Sequence, residues 1–405
     1  VAPISISLVL CAALTLLLWQ LPGGSRWVRT PVDVPALAWI AALTIASLFA
    51  IDPRASWPRV IKGLLLVIVP VSVYHARDEK LARRAVALLL LSAGSAAIFA
   101  LARFALQGAD FPNRVKGAVG HPLTYGGQAL LVGSLASAIA IRCGGKWRVG
   151  ALLALGAILP ALAGTYTRSA WIGYIAALIV IVAFTRARWL AGLAGGVAAL
   201  ALVLPGVYRE RAFSIFDPQS PWNRERVHMW GAGLRMFKDH PWTGVGLQDL
   251  HPLYEKYKSA GAVEPAGHLH SVYVHVAATM GVVGLVALAL LIFGLLRAAS
   301  RAFLAYRKAP VGASDLGPAI SLGVSAALVG FFTSGLMEWN LGDEELLDLL
   351  CVMVGIAFAA GAWAQVARAA PAEDMALVER LPDQPFGAIA NLRRSQETSP
   401  RSPTR

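Results

Sequence analysis

Apolar runs of membrane length recur from one end of this chain almost to the other. A helix needs about 20 such residues to cross the hydrocarbon layer of a bilayer. We read spans near 2–20, 34–50, 60–74, 85–106, 122–141, 149–163, 170–185, 190–207, 272–296, 319–337 and 345–366. With 57% of its 405 residues hydrophobic and 15% charged, the chain is too apolar for an ordinary soluble protein. The expected fold is an all-α polytopic membrane protein of about 11–12 transmembrane helices. The twelfth applies if a helix precedes Val1 or if two spans have been merged. The first run, Ile4 to Trp19, lacks the charged leader of a signal peptide, and many spans follow it.

The net charge of +13 does not point to nucleic acid, because the basic residues sit in short connections between apolar runs. The connections 21–33, 75–84, 142–148, 186–189 and 297–318 hold 15 Lys and Arg residues. Those on the other side, 51–59, 107–121, 164–169 and 338–344, hold 5. Basic loops stay in the cytoplasm, so the second set faces outward. The expected organisation is then 1–207 as N-terminal transmembrane helices, 208–271 as one large outer (periplasmic) loop, 272–366 as C-terminal transmembrane helices and 367–405 as a disordered cytoplasmic tail ending in "RRSQETSPRSPTR". Cys11, Cys143 and Cys351 lie in or beside apolar runs with no metal or disulfide spacing, and read as small buried side chains.

A loop as long as 208–271 is where function concentrates. In "SPWNRERVHMWGAGLRMFKDHP" Ser220 and Pro221 mark a helix start. Val227, Trp230, Leu234 and Phe237 recur at helical spacing as an apolar stripe, and Pro252 opens a second short helix. The expected picture is an amphipathic helix lying on the bundle. Arg224 and Arg226 ride on it, as surface charges or with Arg226 stacked on Trp230 one turn away. Arg168, in the outer turn of "AGTYTRSAWIGY", is an ionisable group at membrane depth and so a functional candidate. Lys62 and Arg103 lie near the same boundary, where snorkelling accounts for them.

"GHLHSVYVHVAATMG" places three histidines at the outer edge of the next span. His268 and His270, two apart, point to opposite sides of an extended stretch. His275 sits among apolar residues and reads as an interior, hydrogen-bonded ring. His-x-His alone is a weak metal signal, and we expect no metal and no cofactor. His270, at the start of the span, is the best base candidate. Arginine forks onto phosphate oxygens. No P-loop or dinucleotide motif is present, and the loop carboxylates form no Asp-x-Asp pair to hold a divalent ion. Such a site suits a substrate that carries its own energy, a lipid-linked diphosphate sugar whose leaving-group charge the arginines stabilise.

Three segments then resemble the O-antigen ligase/polymerase superfamily, specifically WaaL-type O-antigen ligases: "TYTRSAWIGY", "RVHMWGAGLRMFKDHPWTGVGLQDL" and "HSVYVHVAATMGVVGLV". Each is loose alone, but the order of the three is specific. The resemblance implies a GT-C-like, metal-independent glycosyltransferase of the bacterial inner membrane. It would move O-antigen from undecaprenyl diphosphate to the lipid A-core acceptor, with its site facing the periplasm. Position by position, it assigns Arg168 and Arg226 to the donor diphosphate and His270 to catalysis; Arg226 fits better than Arg224 because it precedes Trp230 by four. Arg224, His268, Arg103 and Lys62 are lesser candidates. Ser271, Tyr273 and Val274 depart from the family's usual Asn and Leu. An O-antigen polymerase and a protein O-oligosaccharyltransferase share these motifs; the single large outer loop favours the ligase. A lipid or saccharide transporter would place its charged groups at mid-membrane, where this chain has few.

Overall fold

A computed structural model describes Thr15 and residues 28–108, 113–203, 205–306 and 316–369. The expected span 2–20, Cys11 and the tail from 370 onward lie outside the described residues. Within them every regular element is helical: α1 (Asp33–Leu48), α2 (Pro53–Ala76), α3 (Glu79–Leu106), α4 (Pro122–Arg142), α5 (Gly145–Gly164), α6 (Arg168–Arg186) and α7 (Leu190–Val203). The outer segment adds α8 (Gly206–Phe213), α9 (Pro221–Asp239) and α10 (His251–Tyr257), and the chain returns through α11 (Val272–Tyr306), α12 (Leu316–Ser334) and α13 (Glu344–Ala369). Among the described residues eight stretches are long and apolar enough to cross a membrane, and α1 is a shorter apolar helix. The protein is a multi-pass membrane protein. Leu88, Leu91, Ile98, Phe99, Leu153 and Phe293 point outward, which water would penalise and lipid does not.

Local chemistry sets the helix ends. Asp78 accepts from the amides of Lys80 and Leu81 and starts α3. Pro122 and Pro221 occupy first turns, where a missing N–H costs nothing. The helix expected at 60–74 begins earlier, at Pro53, and runs as a 3-10 helix through Trp57–Val67. The apolar stretch Arg168–Ala199 breaks at Arg186, whose φ of −147° is not helical. Since α6 leaves from Arg168 and Ser214 is again hydrogen-bonded to Arg168, α7 must bring the chain back to the face it left. The two expected spans are therefore two crossings.

The core centres on α12, buried along nearly its whole length and packed against α4, α6, α11 and α13. Gly173 and Gly330 let α6 and α12 touch backbone to backbone: a Cβ on either would press into the other's carbonyl oxygen. Cys143 and Cys351 are buried free thiols.

One end of the bundle gathers the ends of α1, α3, α5 and α12 and the starts of α2, α4, α6, α11 and α13. The amide of Val115 donates to Gly164, that of Val272 to Gly335, and that of Ile51 to Val245 of the outer segment. The outer segment has its own small core, in which Met229, Met236, Leu250, Tyr254 and Leu269 pack together. Helix α9 starts and stops as its spacing predicts, but its expected apolar stripe is not the buried face. Met229, Ala232, Gly233 and Met236 face inward, while Val227 and Leu234 are exposed. The reason is closeness of approach: a Cβ on Gly233 would crowd Leu269 and Val274.

The segment is also knitted to a break in α11. At Gly281 the backbone is left-handed (φ 61°), and the amides of Val282 and Val283 donate to the carbonyls of Pro241 and Trp242. In return the amides of Val245 and Gly246 donate to Ala278 and Thr279. Gly244 (φ 68°) lies so close to Thr279 that a Cβ there would overlap its carbonyl carbon. The glycines of "HPWTGVG" permit this docking, and it holds the residues before Val272 over the end of the bundle.

Candidate functional site

The turn between α5 and α6 is built from Thr165, Tyr166 and Thr167. Thr165 Oγ1 donates to Leu162 O and accepts from the Thr167 amide, while Tyr166 is forced to φ 50°. Non-glycine residues rarely hold that conformation unless their surroundings impose it. The turn aims its carbonyls at arginines from elsewhere: Thr165 O accepts from Arg114 Nε at 2.6 Å, and Tyr166 O from Arg211 Nε at 3.2 Å. Arg114 Nη2 also donates to Thr167 Oγ1. Arg168 follows at the first position of α6 and is 2% exposed. Its Nη1 donates to Ser214 O at 2.9 Å and Oγ at 3.1 Å, while its buried Nε and Nη2 have no partner. Two unused donors on a buried guanidinium are groups that an anion's oxygens can satisfy.

Arg226 reaches the same neighbourhood from α9. Its Nη2 is 3.5 Å from Glu338 Oε2, with both side chains largely buried. It turns to this carboxylate rather than to Trp230; the arginine that stacks on indole is Arg211, 4.4 Å from the Trp222 ring. The electrostatics show the crowding. Burial pushes Arg211 down to about 10, and the charges of Arg168, Arg114 and Arg226 push the same way. Burial also lowers Arg114 and Arg226, each partly held up by Glu338. Four guanidinium groups thus share a poorly solvated space with one carboxylate.

Glu338 lies in the turn after α12. His270 Nδ1 donates to its Oε1 at 2.9 Å, and His268 Nε2 stands 3.7 Å from the same oxygen. Burial alone would raise the carboxyl, but the two histidines and Arg226 outweigh it and hold Glu338 well below the ordinary carboxylate range. The two rings were expected on opposite sides of an extended stretch. They lie 4.3 Å apart instead, because His270 adopts φ 44° and the chain doubles over. Among the described residues Tyr166 and His270 are the two non-glycines with positive φ, and both are here. His275 is interior as expected, but its Nδ1 has no hydrogen-bond partner among the described residues, and its ring rests 3.8 Å from that of Trp339 instead.

Arg168, Arg226, His270 and His268 are therefore brought to one site. Arg224 and Arg103 are not, and Lys62 only shares a cavity wall with His268 and Glu338. Arg224 is exposed on α9. Arg103 is exposed and rests over Phe99 of its own helix. Lys62 pairs with Glu344 at 3.1 Å, at the wall of a 390 Å³ cavity that runs from His268 and Glu338 down between α1, α2, α11 and α13. Burial raises Asp343, at the same mouth, although a hydrogen bond from Thr124 opposes the rise. Sequence reasoning missed Arg114, Arg211 and Glu338. The one signal for Glu338 was a carboxylate in an outer connection without basic residues.

His268, His270 and Glu338 offer three ligand atoms within 4.8 Å of one another, the one such trio found among the described residues. A cation there would face Arg226 across Glu338.

Residues 151–289 match the sequence pattern of a family described as O-Antigen ligase. The matched stretch contains Arg168, Arg211, Arg226, His268 and His270 and leaves Arg114 and Glu338 outside. A search of the curated proteins finds no match.

Proposed function

We propose that this polytopic membrane protein belongs, as its match at residues 151–289 suggests, to the O-antigen ligase/polymerase superfamily, and that it is an O-antigen ligase that moves O-antigen polysaccharide from undecaprenyl diphosphate to the lipid A-core oligosaccharide. The site face then looks into the periplasm of the bacterial inner membrane, and the C-terminus into the cytoplasm. The gathering of Arg114, Arg168, Arg211 and Arg226 around one carboxylate carries this reading. A diphosphate supplies the negative charge that the cluster lacks, and its oxygens take the two unused donors of Arg168.

His270 donates from Nδ1 to Glu338, which sets its tautomer and leaves Nε2 free to accept a proton. In the reaction the acceptor hydroxyl loses its proton to Nε2, its oxygen bonds to the anomeric carbon, and the bond from that carbon to the diphosphate oxygen breaks. The electron pair leaves with the diphosphate, where the arginines stabilise it. Glu338 is then a positioning residue: it stabilises the imidazolium as that charge forms, as the acid of a Ser-His-Asp triad does. We read the reaction as metal-independent, because a dication on the histidines would be repelled by four guanidinium groups and would occupy the base.

The test is transfer from purified lipid-linked donor to purified lipopolysaccharide core, with chelator present. Labelled sugar on the core is the expected result. Label in longer donor chains or on protein would make this a polymerase or a protein glycosyltransferase instead.

A further inference from the structure

At the bundle end opposite the arginine cluster, helices α3 and α5 part and leave a groove of about 620 Å³. They cross where Gly94 meets Ala154, with a Cβ on Gly94 only 3.5 Å from the Ala154 Cα. The groove between them has apolar walls, with Leu90 and Leu91 on α3 and Trp147 and Leu153 on α5. Leu91 and Leu153 are 65% and 73% exposed, so the groove is open sideways to lipid. Its mouth is cationic: Lys80, Arg83 and Arg84 come from the first turns of α3, and Lys146 from the start of α5. Among the described residues the carboxylates beside this mouth are two: Asp78 caps α3, and Glu79 pairs with Arg83 at 2.6 Å.

We propose that this groove binds an anionic phospholipid, with its phosphate at the Arg84–Lys146 mouth and its acyl chains along the apolar walls between α3 and α5. The charge selects the head, since basic pockets between transmembrane helices attract anionic lipid headgroups. The apolar walls select a lipid over a free anion, because a soluble phosphate leaves them unfilled. Trp147, half-buried beside Lys146, sits where an indole favours the interface between headgroup and chain. The proposal is independent of the transfer reaction.

Native mass spectrometry of the detergent-solubilised full chain tests it, with phosphatidylglycerol and phosphatidylcholine of identical chains as probes. Wild type should retain the anionic lipid preferentially. Each cation near the headgroup is worth about fivefold, so the double variant Arg84→Gln/Lys146→Gln should cut that preference about 25-fold. Gly150 lines the groove, and a Cβ there meets nothing within 4 Å, so Gly150→Leu should fill the space without a clash. It should lower retention of both lipids at unchanged charge. Equal retention of the two lipids by wild type would overturn the proposal, and so would an undiminished preference in the double variant. Retention unaffected by Gly150→Leu would place the chains elsewhere and overturn it too. Displacement by millimolar glycerophosphoglycerol would show a free-anion site instead.

Discussion

Replacing Glu338 by glutamine keeps the shape of the side chain and removes its charge. The carboxylate is 3.5 Å from Arg226 and accepts from His270 at 2.9 Å, with its side chain 7% exposed. At an effective dielectric of about 20, the attraction to Arg226 alone is roughly 5 kcal/mol before desolvation is subtracted. Removing one partner of such a buried pair costs about 3–5 kcal/mol, and here it leaves four guanidinium groups without their buried counter-charge. Glu338→Gln should therefore melt at a clearly lower temperature in detergent. The catalytic effect is separate. A hydrogen bond to a charged partner is worth about 2 kcal/mol, and this one gains strength only as His270 becomes charged. At 1.36 kcal/mol per decade, kcat should fall about 30-fold, while KM for the lipid-linked donor changes little. Glu338→Asp should recover part of the rate. Steady-state transfer in lipid nanodiscs, below the melting temperature of each variant, measures both constants. A glutamine variant with kcat within about threefold of wild type would refute the positioning role. One as stable as wild type would refute the account of the arginine cluster.

Four further outcomes follow from the same geometry. Arg168→Lys and Arg211→Lys should each lower the transfer rate by about tenfold or more, because lysine keeps the charge but loses the fork. Pyrophosphate should stabilise the apo protein by about 1.4 kcal/mol at ten times its dissociation constant, read as a rise in melting temperature that Arg168→Ala abolishes. The depressed Glu338 carboxyl contributes stability that is complete above the ordinary value of 4.5 and is lost as pH falls through the depressed one. The stability gap between wild type and Glu338→Gln should thus be flat above pH 4.5 and narrow below it, as pH-dependent melting would show. Gly244→Ala should cost about 2 kcal/mol or more in chemical unfolding, since it combines a left-handed backbone with overlap on Thr279.

The membrane helices were legible because hydrocarbon imposes a length on each of them, and no packing detail changes that length. The outer helix α9 was legible at its ends and not in its facing. Hydrophobic spacing favoured Val227 and Leu234, whereas a glycine and two methionines gave the closer seat. Arg168, Arg226 and His270 stood out through membrane depth and the family resemblance. Arg114 and Arg211 did not. Arg114 lies in a short connection and Arg211 at the start of the long one, each among other basic residues, and only the carbonyls of Thr165 and Tyr166 distinguish them. Glu338 reaches His270 across 68 positions, a pairing that depends on tertiary structure alone. The left-handed turn at His270, which brings both rings to one carboxylate, was equally hidden from an argument based on extended spacing.

The exchange of hydrogen bonds between Pro241–Gly246 and the break at Gly281 bears on how the protein is made. A helix that satisfies all its own amides can leave the translocation machinery complete. This one cannot: the amides of Val282 and Val283 wait for a loop synthesised some forty residues earlier. Until that loop folds back, Gly281 has nothing to close its gap, and His270 has no fixed position. The candidate site is therefore assembled last, after insertion itself is finished.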